Sequence, residues 1–137
     1  MAEADSDRGN RGKRGEPEGE LPLTPVTLNI LLALADEERH GYGIMLEVSD
    51  RTGGKTRMGP GTLYSSIKRL VGGGLIEESE ARPAPESDDE RRRYYHLTDF
   101  GRRVLAAEVE RLESTVRAAR KKGAYPAPEP GSAMGLA

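Results

Sequence analysis

The sequence predicts a mainly α fold in which three helices precede a two-stranded β-hairpin and one long helix closes the chain. Three observations carry that expectation. Helical periodicity comes first in three short blocks separated by glycine and charge. It gives way to strand-like alternation after Gly72-Gly73-Gly74, and it returns from Asp99 to Lys122. With 35% hydrophobic residues, 32% charged residues, no Trp and one Phe, the core is expected to be small and aliphatic. Chains of that kind often complete their burial in an oligomer.

Residues 1–20 mix both charge signs with Gly and Pro and offer almost nothing to bury, so they read as a disordered tail. The helical blocks begin at Thr24-Pro25, with Thr as N-cap and Pro at the first helical position, where a missing N–H costs nothing. The helix that follows, VTLNILLALAD, is apolar on nearly every side and should be buried on more than one face. DEERHG breaks it. A second helix, GYGIMLEVSDRT, places Ile44, Met45 and Val48 on one face and ends at Gly53-Gly54. His40 reads as a helix-start residue.

The third helix is fenced by Gly59-Pro60-Gly61 and by Gly72-Gly73-Gly74. At about 100° per residue, Leu63, Ile67, Leu70 and Val71 gather on its inner side. Gly61, Thr62, Ser65, Lys68 and Arg69 gather on the outer side, with Tyr64 at the boundary. LIEESEA and RYYHLT then read as two strands of a hairpin, joined by a long charged tip, with His96 in a structural role on the second. Thr98 caps the last helix, and Arg120, Lys121, Lys122 and Gly123 close it. Within it Leu105, Val109, Leu112, Val116 and Ala119 step by 4, 3, 4, 3, a seam for a second helix. Residues 124–137, rich in Pro and Gly, read as a second disordered tail.

Three helices, a wing-like hairpin and a closing helix describe a winged helix-turn-helix domain over 21–97, with a dimerisation helix over 98–123. In that architecture the third helix enters the DNA major groove, where Lys, Arg, Ser and Thr supply donors to base edges and phosphates. The formal net charge of −2 argues against nucleic acid, but its distribution does not. From Arg51 to Ile76 there are five bases and no acid, and phosphate attraction depends on the local patch. Arg91, Arg92 and Arg93 add charge at the base of the wing, beside the opposing acids of Ser87-Asp88-Asp89-Glu90. That arginine run reads equally as a DNA contact or as a solvated charge run.

HGYGI at 40–44, GPGTLYSSIKRL at 59–70, GLI at 74–76 and RRRYYHLTDFG at 91–101 resemble the PadR family of transcriptional regulators over about residues 21–115. The resemblance implies a dimeric winged-helix repressor that binds a palindromic operator in double-stranded DNA and is released by a small-molecule effector. By the same resemblance Tyr42, Gly61, Thr62, Tyr64, Ser65, Lys68 and Arg69 lie at or near the DNA. Tyr42 and Tyr64 read equally well as packing rings with a wet hydroxyl. The first and last helices would build the homodimer, through Leu28 and Leu31 together with Leu105, Val109, Leu112, Val116 and Ala119. Gly72 and Gly73 depart from the charged or polar residues usual at that turn. The absence of Trp removes the planar-ligand sandwich of some short relatives.

No cysteine is present, and His40 and His96 are isolated, so neither a disulfide nor a metal site is expected. No cofactor loop or nucleophile–base pair is visible, so the chain is not expected to be an enzyme. No apolar run approaches the ~20 residues of a membrane span, and a soluble, cytoplasmic protein is expected. The competing reading is a winged-helix protein-interaction module that has lost DNA binding, which the negative net charge and the acidic wing tip favour.

Overall fold

The computed structural model describes residues 15–80 and 93–128. Four helices and three short strands follow one another: α1 (Pro25–Ala33), β1 (Arg39–His40), α2 (Gly41–Arg51), α3 (Pro60–Gly72), β2 (Ile76–Glu78), β3 (Tyr94–Leu97) and α4 (Asp99–Lys121). A single 3-10 turn, Pro17–Glu20, precedes them and lies against α4. The region expected to be a tail through residue 20 therefore includes a packed turn at its end. Much of residues 1–20 and most of residues 124–137 fall outside the described residues.

Each helix starts where its capping chemistry is. The Thr24 hydroxyl accepts the Thr27 N–H at 3.2 Å, and the Thr98 hydroxyl accepts that of Gly101 at 2.9 Å. His40 starts α2: its Nδ1 accepts the Gly43 N–H at 2.9 Å. The end of α3 is a Schellman motif. Leu75 N–H reaches Leu70 O at 3.0 Å and Gly74 N–H reaches Val71 O at 3.1 Å. Gly74 must adopt φ +79° for this, which a side chain would oppose. The same paired bonds close α2 at Gly53 and α4 at Gly123.

The sheet has three strands rather than the expected two, in the order β1-β3-β2 and antiparallel throughout. Arg39 stands opposite Tyr95 and His40 opposite Tyr94, while Ile76, Glu77 and Glu78 face Leu97, His96 and Tyr95. β1 escapes sequence reading because two residues have no period. Arg39 also closes α1, with its Nε donating to Ala33 O at 2.7 Å and its guanidinium meeting Asp36 at 3.3 Å.

The core joins Ile30, Leu31 and Leu34 of the α1 region, Ile44 and Val48 of α2, and Leu63, Ile67 and Leu70 of α3. Leu75, Ile76, Tyr95 and Leu97 from the wing complete it together with Val104 and Leu105 of α4. α1 is buried on more than one side, as its composition requires. The first half of α4 is thus part of the same core as the winged unit, and a division at residue 98 would cut through packing. Glu108 is also buried: its carboxylate accepts Arg111 Nε at 2.6 Å and the Leu23 N–H at 3.1 Å, which ties the segment before α1 to α4.

At Gly101 the backbone of α4 touches that of β2's approach. A Cβ there would overlap the Leu75 carbonyl oxygen and stand 2.9 Å from its carbon. Gly101→Ala should therefore destabilise by about 1–3 kcal/mol or more, read by denaturant unfolding, since backbone cannot yield as a side chain does. Arg111 holds the Glu108 carboxyl below its ordinary value, with the Leu23 N–H acting in the same direction against burial. A depressed folded-state pKa stabilises above the unfolded value of about 4.3 and is lost as pH falls through the folded value. Glu108→Gln should be less stable than the parent at pH 7, and the gap should close progressively as pH falls below about 4.3.

Candidate nucleic-acid interface

α3 is half sunk and half presented. Leu63, Ser66, Ile67 and Leu70 are buried, while Gly61, Thr62, Tyr64, Ser65, Lys68 and Arg69 are exposed. One position departs from expectation. Val71 is 41% exposed and Ser66 is buried in its place. The buried arc centres on Leu63, Ile67 and Leu70, and it takes in the small residue on one flank. Val71, on the other flank, overhangs the edge of the core.

The presented face is rich in donors and holds no acid. The Ser65 hydroxyl donates weakly to Thr62 O at 3.3 Å, so it remains free to re-aim. Lys68 and Arg69 have no ion-pair partner among the described residues, and neither do Lys55 and Arg57 in the turn between α2 and α3. Arg51 is different. It binds Glu47 at 2.8 Å and the Asn29 side chain at 2.9 Å, so it braces α1 against α2. Its hydrogen bond to Glu47 raises its pKa further. The acid-free window of the sequence thus holds four unpaired bases; Glu47, one turn earlier on the same helix face, claims the fifth.

Tyr64 shows why α2 begins with glycine. A Cβ on Gly41 would come within 2.8 Å of the Tyr64 ring, so the ring lies across the start of α2 while Tyr64 stays 43% exposed. It both packs and presents an edge. Tyr42, at 58% exposed, stands out from the same end of α2.

In the wing, Arg91, Arg92 and the acidic tip lie outside the described residues. Arg93 is exposed, and its Nε stands 3.4 Å from Glu78 across the β2–β3 ladder. His96 is structural in its geometry, with Nδ1 2.9 Å from Ser79 Oγ and Nε2 3.3 Å from Glu77. The expected dimer seam divides. Leu31 and Leu105 turn into the chain's own core and are closed to a partner, whereas Leu28 is half-buried. Val109 and Val116 are exposed and Leu112 and Ala119 half-buried, which leaves an apolar stripe on the distal part of α4. Among the described residues no group of acids and histidines could hold a metal ion, and no helix is long and apolar enough to cross a membrane.

Residues 30–107, more than half of the chain, match the Transcriptional regulator PadR-like family. Transcriptional regulator Rv3488 of Mycobacterium tuberculosis is 39% identical over 98 residues, which span 72% of this chain and 85% of that protein. RosR of H. salinarum is 33% identical, with a TM-score of 0.54 over 72% of this chain and 79% of that one. Bacillus subtilis PadR, solved in complex with operator DNA, is 23% identical and shares the fold, with a TM-score of 0.55 over 64% of this chain and 48% of its own. By this sequence match and its winged-helix architecture, the chain belongs to the PadR-like family of transcriptional regulators.

Proposed function

We propose that the protein is a dimeric, sequence-specific DNA-binding repressor of the cytoplasm, released from its operator by a small effector. The observation that carries the DNA-binding part is the presented face of α3. Hydroxyls and cations without ion-pair partners stand there together, held by buried Leu63, Ile67 and Leu70 at about 1.5–3 kcal/mol of burial each. On this reading Lys68 and Arg69 donate to guanine O6 and N7, and Thr62 and Ser65 donate to bases or phosphates. Lys55 and Arg57, at the turn, meet the backbone. Tyr42, Tyr64 and the wing arginines flank these contacts. The operator-bound PadR of Bacillus subtilis supports the same use of the fold here. Repression and effector release rest on the family resemblance.

The homodimer is supported by the distal stripe of α4, Val109, Leu112, Val116 and Ala119, with Leu28 of α1 beside the same core. Two copies related by a two-fold axis would read half-sites about one helical turn apart, roughly 10 bp or a multiple of it. A protein-interaction module without DNA binding is the alternative that the net charge of −2 favours.

Fluorescence anisotropy on duplex from upstream of the gene, against a scrambled duplex, tests the reading. Lys68→Ala or Arg69→Ala should weaken binding to the specific duplex by about 1–3 kcal/mol and the scrambled one much less. Lys55→Ala should weaken both alike and reduce the salt slope by about 0.9. Binding indifferent to salt and to all three changes would select the interaction module. Val116→Glu should shift the protein from dimer to monomer in sedimentation equilibrium without lowering its helix content, because the side chain is exposed in the single chain.

A further inference from the structure

A chain of polar contacts crosses the solvent face of the sheet and joins all three strands. The Ser79 hydroxyl, one residue past β2, donates to Glu38 Oε1 at 2.5 Å, and Glu38 stands one residue before β1. With β3 in the middle of the sheet, that bond passes over it. His96 of β3 fastens to the β2 side twice, with Nδ1 2.9 Å from Ser79 Oγ and Nε2 3.3 Å from Glu77 Oε2. Its strand neighbours Tyr95 and Leu97 are buried, so His96 faces outward.

With a neutral imidazole the chain is one proton short. Both carboxylates being ionised, each of the three contacts needs a proton between its two heavy atoms. The Ser79 hydroxyl supplies one and a neutral ring one more, so either tautomer leaves one contact with lone pairs opposed. An imidazolium carries an N–H on both nitrogens and fills all three. Solvent can deliver that proton, since the His96 side chain is 39% exposed. The charged groups on the neighbouring elements have engagements of their own. Arg93 pairs with Glu78 at 3.4 Å, Arg39 with Asp36 at 3.3 Å and with Glu37 at 3.4 Å, and Arg102 of α4 donates to Ala35 O at 3.3 Å. Asp99 stands in the first turn of α4, where a helix favours an acid. His40, opposite Tyr94 on the same face, spends its Nδ1 on the Gly43 N–H.

We propose that His96 is a positioning residue for the wing: a second proton on its imidazole locks β2 and β3 to the turn before β1, and the wing then holds DNA more tightly. Imidazole as a class changes charge between about pH 5 and 8, so the lock works near neutrality. Its far end is firm, because Arg39 Nε donates to Ala33 O at 2.7 Å and fixes the turn to α1. Strands tied to the helices before encounter lose less freedom on binding. The effect on DNA rests on the reading of the wing given above; the chain of contacts does not.

The two parts are measured separately. On the full chain without DNA, solvent-exchange NMR gives the protection factor of the Ser79 amide, which donates to Tyr94 O across the wing. Corrected for the intrinsic exchange rate, it should rise about tenfold between about pH 8 and about pH 6. It should stay level in His96→Gln and in Ser79→Ala, and rise again in Ser79→Thr, which keeps the hydroxyl. His40 is intact in every variant, so its own titration cancels from the comparison. A level parent, or a rise that persists in Ser79→Ala, would overturn the lock. Anisotropy on the specific duplex at constant ionic strength reads the effect on DNA. The parent should bind about fivefold tighter at the lower pH, and Ser79→Ala, which keeps the imidazole and its charge, should not. Equal affinity at both pH values, or equal tightening in Ser79→Ala, overturns the coupling alone. A protein that binds DNA at neither pH overturns the coupling and the functional reading together, and leaves the lock to stand on its exchange result.

Discussion

The close approach of α4 to the Leu75 carbonyl organises the rest of the molecule. Thr98 Oγ1 donates within this junction, 2.6 Å from Gly74 O and 3.1 Å from Leu75 O, while Thr98 N–H donates to Leu75 O at 3.0 Å. Gly101 lets the helix backbone settle where a methyl group would collide. One threonine and one glycine thereby join the end of the presented helix, the start of the wing and the first turn of α4. The turn that stops α3 is the same turn that receives α4, so the orientation of the presented face and the direction of the distal stripe are set by one packing event.

That junction explains how a chain of net charge −2 can display a cationic face. A helix anchored by three leucine-class side chains and a buried serine has no need of ion pairs on its outer side. Acids are instead spent where the fold needs them. Glu47 holds Arg51, Asp36 and Glu37 hold Arg39, and Glu108 holds Arg111. Apart from the pair of buried Glu108, such pairs contribute little each, but every one of them removes a cation from the set available to phosphate. The bases left around α3 are those the fold does not use.

α4 shows the same economy along one helix. Its first half is core: Val104, Leu105 and Glu108 face α1, the wing and the segment before α1. Its second half carries an apolar stripe that the single chain leaves in water. A continuous 4-3 seam in sequence therefore describes two different environments, and only the distal part can serve a partner helix. Leu31 had the same fate on α1.

Local signals were legible in the sequence wherever their physics is local. Thr24-Pro25, Thr98 and the glycines at 53, 74 and 123 bound helices because capping bonds span only a few residues. The outward set on α3 followed from a 100° step. What the tertiary structure alone decided were choices among faces that look alike in one dimension. Val71 rather than Ser66 stands in solvent, Leu105 but not Val109 enters the core, and His40 joins a strand too short to have a period. The Glu108 anchor is the clearest instance. Its carboxylate is buried because it meets an amide 85 positions away in the chain, and no local pattern can announce a bond between groups that only folding brings together.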